Sequence, residues 1–398
     1  MKAAVKVKAT TKLLGKLGSG SAARSSFQKA FCPTKVRGTI DPVSRPLVVG
    51  SDCSGLSTEL LALQYAGIPL MSAFASECRQ KVRLIHDLLH GNTKLFFNDA
   101  REAHTSRMPV DLYVVAPPWV PSSTTQDAGF GFGDTFGHAL RYIWRCRPKV
   151  VILEHLKQIA DGRHTECLEF VLQSLTREGY AVTWNIMQTD EHGVPHKRAR
   201  VYVVAMLEVT HRFEWPQTLK VKHNVARFLD NVRGDGCHVR ATETARKNWQ
   251  NACAKLVKGG VDYNATCCFV DVHAHVSSMN IKLGTLPCLT ASRGSRGGFH
   301  ITTKNRMTTI HELGRLQGWH TSSIDKALDG GAKISILGRA LGNGMSVNVL
   351  YRLLPRALWS AGLSERKTRD VFKVPPSEAR GLSGYFPDAL YDFQWGLT

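Results

Sequence analysis

The sequence predicts an α/β fold built on a largely parallel sheet, followed by a separate basic region. Short apolar runs typical of strands alternate with periodic stretches typical of helices from residue 46 to residue 206. Such alternation indicates βαβ units and a sheet that is buried on both faces. The alternation is lost over residues 210–285, which hold eleven Lys and Arg against six Asp and Glu. We therefore expect a small region of different architecture there.

Seven apolar runs are predicted as strands, and the stretches between most of them as helices. The predicted strands are Pro46–Gly50, Met71–Ala75, Leu95–Phe97, Leu112–Val115, Val150–Leu153, Ala181–Met187 and Val201–Met206. The predicted helices are Leu60–Ala66, Arg79–Leu89, His138–Arg145, Thr165–Arg177, Thr308–Leu316 and Met345–Trp359. Only a loop joins the sixth strand to the seventh, and this predicts an antiparallel pair because parallel neighbours need a crossover.

The charge balance predicts a polyanionic partner. The 398 residues carry 52 Lys and Arg against 32 Asp and Glu, a net charge of +20. Nucleic acid is the expected partner, and an anionic membrane surface is the alternative. No stretch is apolar for the ~18 residues that a membrane-spanning helix needs, so the sequence predicts none.

The cysteines and the first forty residues indicate the cellular compartment in which the protein is expected. Ten cysteines are scattered without a Cys-x-x-Cys pair, which indicates a reduced, intracellular protein. The Cys and His residues between 237 and 275 match no zinc-ligand spacing, so no metal site is expected. Residues 1–40 contain seven Lys, two Arg and no acid. They are interpreted as a flexible tail, with a polyphosphate-binding arm, a nuclear address and an organelle-targeting peptide as alternatives.

The first three predicted strands end in residues suited to an adenosine-containing cofactor. Ligands of such sheets bind at the carboxyl ends of the strands. The first strand is followed by Cys53, Ser54, Gly55, Leu56 and Ser57, small enough for close backbone approach. Glu77 follows the second strand and Asp99 the third. Carboxylates at these places accept hydrogen bonds from ribose hydroxyls and from an adenine amino group.

The later strand ends carry a more specific set of motifs. The fourth is followed by Ala116-Pro117-Pro118-Trp119, the fifth contains Glu154-His155, and the sixth is followed by Gly193-Val194-Pro195-His196-Lys197-Arg198-Ala199-Arg200. Further on come Leu286-Pro-Cys-Leu-Thr290, Glu312-Leu-Gly-Arg315-Leu-Gln317-Gly318 and Leu341-Gly342-Asn343-Gly344. In this order, the motifs resemble those of the cytosine-C5 DNA methyltransferase family. The resemblance covers residues 46–206 and 284–354.

The resemblance implies a Rossmann-like fold of S-adenosylmethionine-dependent methyltransferases, with a seven-stranded, mostly parallel sheet and a small inserted target-recognition domain. The implied parts are a basic flexible tail (1–45), a catalytic and cofactor-binding domain (46–207), a target-recognition-like domain (208–300), a returning segment with two late motifs (301–360) and a C-terminal extension (361–398). The implied substrate is cytosine in double-stranded DNA, with RNA the lesser option. We expect a monomer, nuclear or otherwise intracellular.

The resemblance also implies a role for each site residue. Glu77 would hold the ribose of S-adenosylmethionine, Asp99 the adenine, and the loop from Cys53 to Ser57 the methionine end. Pro117 and Asn343 would line the cofactor pocket. Glu154 would bind N3 and N4 of a flipped cytosine, Arg200 its O2, and Arg198 would brace this group and a nearby phosphate.

One position departs from the family in a way that affects chemistry. The family's nucleophile is a Cys directly after the Pro pair, and Trp119 occupies that position here. An indole has no atom that can add to cytosine C6 as a thiolate does. His155 and His196 replace the usual Asn and Gln, and Ser57 and Thr58 replace glycines. These changes affect loop geometry and leave the predicted fold unchanged.

The sequence is therefore compatible with three functions. The first is an active cytosine-C5 methyltransferase, and the second is a catalytically inactive member that binds nucleic acid and S-adenosylmethionine. The third is an amino-methyltransferase, because Ala116-Pro117-Pro118-Trp119 is similar to that class's Asp/Asn-Pro-Pro-aromatic signature. Ala116 lacks the acceptor that the third class needs.

Overall fold

The computed structural model contains a seven-stranded sheet. The structure describes residues 45–91, 93–102, 108–118, 133–162, 164–219, 224–237, 241–275, 277, 280–365 and 370–373. The strands are β1 (Leu47–Asp52), β2 (Leu70–Ser76), β3 (Leu95–Phe97), β4 (Leu112–Val115), β5 (Val150–Leu156), β6 (Ala181–Gln188) and β7 (Ala199–Met206). Their order is β3-β2-β1-β4-β5-β7-β6. The predicted fold class is confirmed.

The direction of the strands places all the predicted motifs at one edge. Strands β1 to β5 pair in parallel, whereas β7 runs antiparallel to both β5 and β6. The antiparallel pair predicted from the short loop is thus confirmed. Because β7 is reversed, its first residues lie beside the last residues of β5, and Arg200 stands opposite Leu156.

Helices cover both faces of this sheet. Those of the first domain are α1 (Thr58–Tyr65), α2 (Gln80–His90), α3 (Gly133–Cys146) and α4 (Thr165–Arg177). In β4, Leu112 and Val114 join the core that includes α1 and α2, whereas Tyr113 and Val115 join the core that includes α3 and α4. Successive strand residues point to opposite faces, so an uninterrupted apolar strand is explained by burial on both sides.

A second, smaller sheet occupies the basic region. It is antiparallel, in the order β11-β10-β8-β9. Its strands are β8 (Cys268–Val270), β9 (Ile281–Leu283), β10 (His300–Ile301) and β11 (Arg306–Met307), with α5 (Glu243–Lys258) packed against it. The expected domain boundary at residue 300 falls inside β10. A strand of two residues is too short to show a hydrophobic period in the sequence, so the sequence does not predict β10.

The remaining helices return to the large sheet. They are α6 (Ala291–Ser295), α7 (Ile310–Arg315), α8 (Thr321–Asp329), α9 (Ile334–Asn343) and α10 (Val347–Ser360). Helices α6 and α9 touch through Gly294 and Gly338, where a Cβ on Gly294 would lie 1.8 Å from the Gly338 carbonyl oxygen. Helix α10 packs against α1. This packing therefore brings the late motifs close to the loop between β1 and α1.

The chain enters the described region at the edge opposite the motifs. Arg45 donates two hydrogen bonds of 2.8 Å to the Asp111 carboxylate, which precedes β4. Asp111 also accepts from the backbone N–H of Val48 in β1. None of the helices that the structure describes combines the length and apolarity needed to span a membrane.

Candidate active site and cofactor site

The loop between β1 and α1 has a strained backbone that is pinned to β2. Cys53, Gly55 and Ser57 have φ angles of 54°, 57° and 46°, the left-handed region that only glycine adopts freely. The Cys53 N–H donates to the Ser76 hydroxyl at 3.2 Å, and the Ser54 N–H donates to the Ser76 carbonyl at 2.9 Å. Strain held in this way is typical of ligand-binding loops.

The two predicted cofactor carboxylates face this loop. The Glu77 N–H donates to the Phe97 carbonyl, which brings the end of β2 against the end of β3. The pKa of the Cys53 thiol is raised by its burial and further by the charges of Glu77 and Asp99. The three strand ends therefore converge, as the sequence predicts, and supply acceptors for a ribose and an adenine.

Each of these two carboxylates forms an ion pair with an arginine two residues later in the chain. Arg79 donates to Glu77 from Nε at 2.7 Å and from Nη2 at 3.1 Å, and its N–H donates at 2.9 Å. Arg101 binds Asp99 in the same manner, with distances of 2.7–2.9 Å. The Arg101 hydrogen bond lowers the pKa of Asp99 to about 2. Asp99 is consequently an ionised acceptor at neutral pH.

Two other segments complete the cofactor loop. His90, at the end of α2, bonds through Nε2 to the Leu56 carbonyl at 2.7 Å. Burial lowers the pKa of His90 to about 3, so the ring is neutral and this nitrogen donates. A Cβ on Gly344 would lie 3.4 Å from the Thr58 hydroxyl, and Asn343 beside it is exposed. The late motif thus reaches the loop, as expected.

The second part of the site pairs β5 with β7. Glu154 is 7% exposed, and Arg200 Nε lies 3.1 Å from its Oε1. Burial raises the pKa of Glu154, while Arg200 and Arg198 lower it in part. A carboxyl group that holds its proton more readily than usual is suited to donate that proton to a ring nitrogen.

Two buried histidines flank this pair. His155 follows Glu154 in β5, and burial lowers its pKa to about 4. His196 is fully buried, its pKa is well below the ordinary value, and its Nε2 accepts the Leu289 N–H at 3.0 Å. His196 therefore joins the segment before β7 to the segment before α6.

Arg198 is a buried brace between three motifs. The residue is 2% exposed, and its Nη1 donates to the carbonyls of Leu289 at 2.7 Å and Gly342 at 3.2 Å. Its Nη2 donates to the Gly344 carbonyl at 2.8 Å. Burial lowers its pKa to about 10, so the guanidinium remains charged at neutral pH.

Comparison with known proteins agrees with this geometry. The sequence model of the C-5 cytosine-specific DNA methylase family matches residues 52–357. The chain belongs to this family. It is 23% identical over 322 residues to the Type II methyltransferase M.HaeII of Haemophilus aegyptius, with 79% of this chain and 94% of that protein covered.

Solved structures share the fold of the C-5 cytosine methylase. The Dnmt2 methyltransferase of S. pombe superposes with a TM-score of 0.53 at 19% identity, covering 79% of this chain and 99% of the other. The methyltransferase EhMeth of Entamoeba histolytica has a TM-score of 0.54 at 15% identity, covering 79% and 98%. The methyl donor of C-5 cytosine methylases is S-adenosylmethionine. The carboxylates of Glu77 and Asp99 are acceptors that fit its adenosine. The loop before α1 fits its methionine end.

One expected role in the methylase site is wrong, and one lies outside the described residues. Arg198 cannot contact a DNA phosphate, because its guanidinium is enclosed and bonded to carbonyls of the protein. Pro117 is buried at the end of β4, but Trp119 lies outside the residues that the structure describes. In the described part of the chain, no group of three or more His, Cys, Asp or Glu could hold a metal ion.

Arg79, Arg101 and His90 contact residues of the predicted cofactor site and were not predicted from sequence. The arginines had a usable signal, since each stands two residues after a predicted carboxylate. No sequence pattern indicates a role for His90, because it lies 34 residues from its partner Leu56.

Replacing Asp99 with Ala should weaken S-adenosylmethionine binding by about 1–3 kcal/mol, because the adenine amino group loses its acceptor. Calorimetry on the folded variant measures this. The control is Glu169→Ala, an exposed acid of α4, which should leave the affinity unchanged. Equal affinities of the two variants would contradict the assignment of Asp99.

Proposed function

We propose that this protein binds S-adenosylmethionine and cytosine in duplex DNA, and that the covalent step of methylation is blocked at residue 119. The buried Glu154–Arg200 pair supports this most directly, because it is the part of the site that recognises a base. Trp119 is the reason for proposing that the covalent step is blocked, because it stands where the family has its nucleophilic Cys.

The chemistry explains why both parts matter. Cytosine C5 is a poor nucleophile, and it becomes electron-rich when a thiolate adds to C6 while N3 takes a proton. The cofactor supplies an electrophilic methyl group to that carbon. Glu154, whose pKa is raised by burial, holds the proton for N3. Arg200 orients the Glu154 carboxyl group and carries donors for the O2 of the base.

The thiol is the missing component. Cys53 lies beside Glu77 and Asp99, and the Cys78 thiol is 3.8 Å from Glu77. Both are therefore on the cofactor side of the site. The fifth strand ends in Glu154, His155 and Leu156, which offer no thiol either. An indole is also much larger than a thiol, so we expect Trp119 to reduce the room for a flipped base.

The proposed partner is duplex DNA, bound by a monomer inside the cell. On α5, Arg246, Lys247, Lys255 and Lys258 are exposed, while Ala245, Ala252 and Leu256 are buried. The single acid of this helix, Glu243, pairs with Lys247. The outer face of α5 thus presents a row of cations suited to phosphates, which supports the target-recognition role of the inserted region.

Duplex binding should weaken steeply with salt, because each phosphate contact releases a counterion. Removal of residues 1–40, which carry a net charge of +9, should reduce the slope of log affinity against log salt without abolishing binding. Fluorescence anisotropy at several salt concentrations measures both slopes. An affinity that does not change with salt would contradict the proposal.

The function itself is tested with three measurements on one sample: cofactor binding, duplex binding and transfer of labelled methyl groups to DNA. The proposal expects both bindings and no transfer. Transfer by the unmodified protein would establish an active methyltransferase, and loss of both bindings in a folded sample would exclude the methylase site as functional.

A further inference from the structure

The first turn of α1 contains a buried carboxyl group that the reaction chemistry does not use. Glu59 is 0% exposed, and neither of its oxygens has a hydrogen-bond partner of good geometry among the described residues. An ionised carboxylate enclosed without a partner is strongly disfavoured. Burial accordingly raises the pKa of Glu59 to about 7. Glu59 is therefore expected to change its ionisation near neutral pH.

The polar groups nearest to Glu59 belong to the cofactor loop. The hydroxyls of Ser51 and Ser57 face the carboxyl group and favour its charged form. Ser51 in turn donates to the Ser54 hydroxyl at 2.5 Å. Glu59 therefore lies beneath the segment from Ser54 to Ser57, which by its family resemblance holds the methionine end of the cofactor.

The charged groups on neighbouring elements have other partners. Asp52 of β1 accepts from Ser76 and Tyr113, and Glu77 after β2 pairs with Arg79. His90 of α2 is neutral and bonded to Leu56. Arg352 of α10 pairs with Asp370. Among the described residues, burial raises the pKa of Glu59, its own backbone N–H and the two serine hydroxyls offset the rise in part, and no nearby cation contributes.

The cofactor brings the cation that this position lacks. S-adenosylmethionine carries a sulfonium, an ammonium and a carboxylate, a net charge of +1. Its demethylated product has lost the sulfonium charge and is neutral overall. A negative charge in a low-dielectric interior acts strongly on a nearby cation, since little water screens it. The charge of Glu59 thus distinguishes the two molecules.

We propose that ionised Glu59 selects S-adenosylmethionine over its neutral demethylated product. This inference rests on the proposed binding of the cofactor at the loop before α1. Selection of this kind matters because product and cofactor share the adenosine and the amino acid, which Glu77, Asp99 and the loop cannot tell apart.

The sign of the pH effect follows from linkage. Binding of the sulfonium favours ionised Glu59, so a protein with protonated Glu59 must release that proton on binding. Below pH 7 this release weakens cofactor binding, and above pH 7 it does not. The affinity ratio of cofactor to product should therefore rise up to about 10-fold between pH 6 and pH 8, with the product's affinity nearly constant.

The test is calorimetry of the full chain with S-adenosylmethionine and with S-adenosylhomocysteine at pH 6 and pH 8. Wild-type protein should release protons near pH 6.5 on binding the first ligand and none on binding the second. Glu59→Gln keeps the shape and removes the charge, so its affinity ratio should be lower and independent of pH. The same ratio at both pH values in wild type would overturn the proposal, even if the variant failed to fold.

A matched control separates this result from failure of the proposed function. Glu77→Gln should weaken both ligands to a similar extent, because both contain the ribose, and should leave the pH dependence of the ratio in place. If wild-type protein binds neither ligand, the proposed cofactor function fails. If it binds both and Glu59→Gln behaves as wild type does, only the role of Glu59 fails.

Discussion

The unmodified protein should form no denaturation-resistant adduct with duplex DNA that contains 5-fluorocytosine, and Trp119→Cys should form one. With S-adenosylmethionine in the mixture, a thiolate would add to C6 and the methyl group would be transferred to C5. Fluorine then stands where the C5 proton would be, and because loss of that proton is what releases the thiolate, the adduct persists. Loss of a covalent nucleophile costs an enzyme on the order of 10⁶-fold in rate. Glu154 and Arg200 form an ion pair, and we predict that they bind the base, so a thiol introduced at residue 119 should restore the missing step. Denaturing gel electrophoresis of the mixture measures adduct formation.

Trp119→Ser is the matched control for this experiment. It removes the indole as Trp119→Cys does, but it provides an alcohol without a base to activate it. It should therefore form no adduct. If the unmodified protein traps the DNA, another thiol is the nucleophile. Cys288 should then be replaced first, because its thiol lies within electrostatic range of Arg198, whereas Cys53 and Cys78 are on the cofactor side.

Replacing Arg198 with Met should lower the free energy of unfolding by about 3–5 kcal/mol, since a buried charged group that bonds several partners is removed. Three carbonyls, those of Leu289, Gly342 and Gly344, would lose their donor in the interior. Urea unfolding followed by circular dichroism measures the change. Cofactor binding should weaken as well, because Gly344 lies against Thr58, the first residue of α1, directly after the predicted cofactor loop.

Lys197→Met is the control, one residue away and with the same new side chain. Lys197 is exposed and pairs with one carboxylate, that of Asp190, which is 11% exposed. Its loss should therefore cost less than the loss of a buried guanidinium that bonds three carbonyls. A loss for Arg198→Met no larger than that of the control would show that the carbonyls of the three motifs find other donors. The brace would then be unnecessary for the fold.

Much of the fold was predictable because burial on both faces leaves a simple pattern. All seven predicted strands are present, with ends within two or three residues of the predictions. The four helices between them are present as well. Strands β10 and β11, with two residues each, could not be predicted, because β11 pairs only with β10 and the pairing of β10 with β8 joins residues about 30 positions apart.

The site was predictable in its residue types and less so in its contacts. Glu77, Asp99 and the loop from Cys53 to Ser57 converge because parallel strands end at one edge. The sequence placed Arg198 at the base pocket but did not show that its partners would be carbonyls 91 to 146 residues away. The role expected for it at a phosphate was wrong for that reason.

By itself, the sequence determined the order of strands and helices, the family motifs and the absence of the nucleophile, since each depends on residue type and spacing alone. Only the tertiary structure decided which groups are enclosed and which neighbours they meet. Glu59 illustrates the difference: an acid in the first turn of a helix usually stays in solvent and favours the helix dipole. Here the packing of α1 under its own loop and against α10 buries it. Burial of a charge is a property of the assembled core, because desolvation depends on every element around the group.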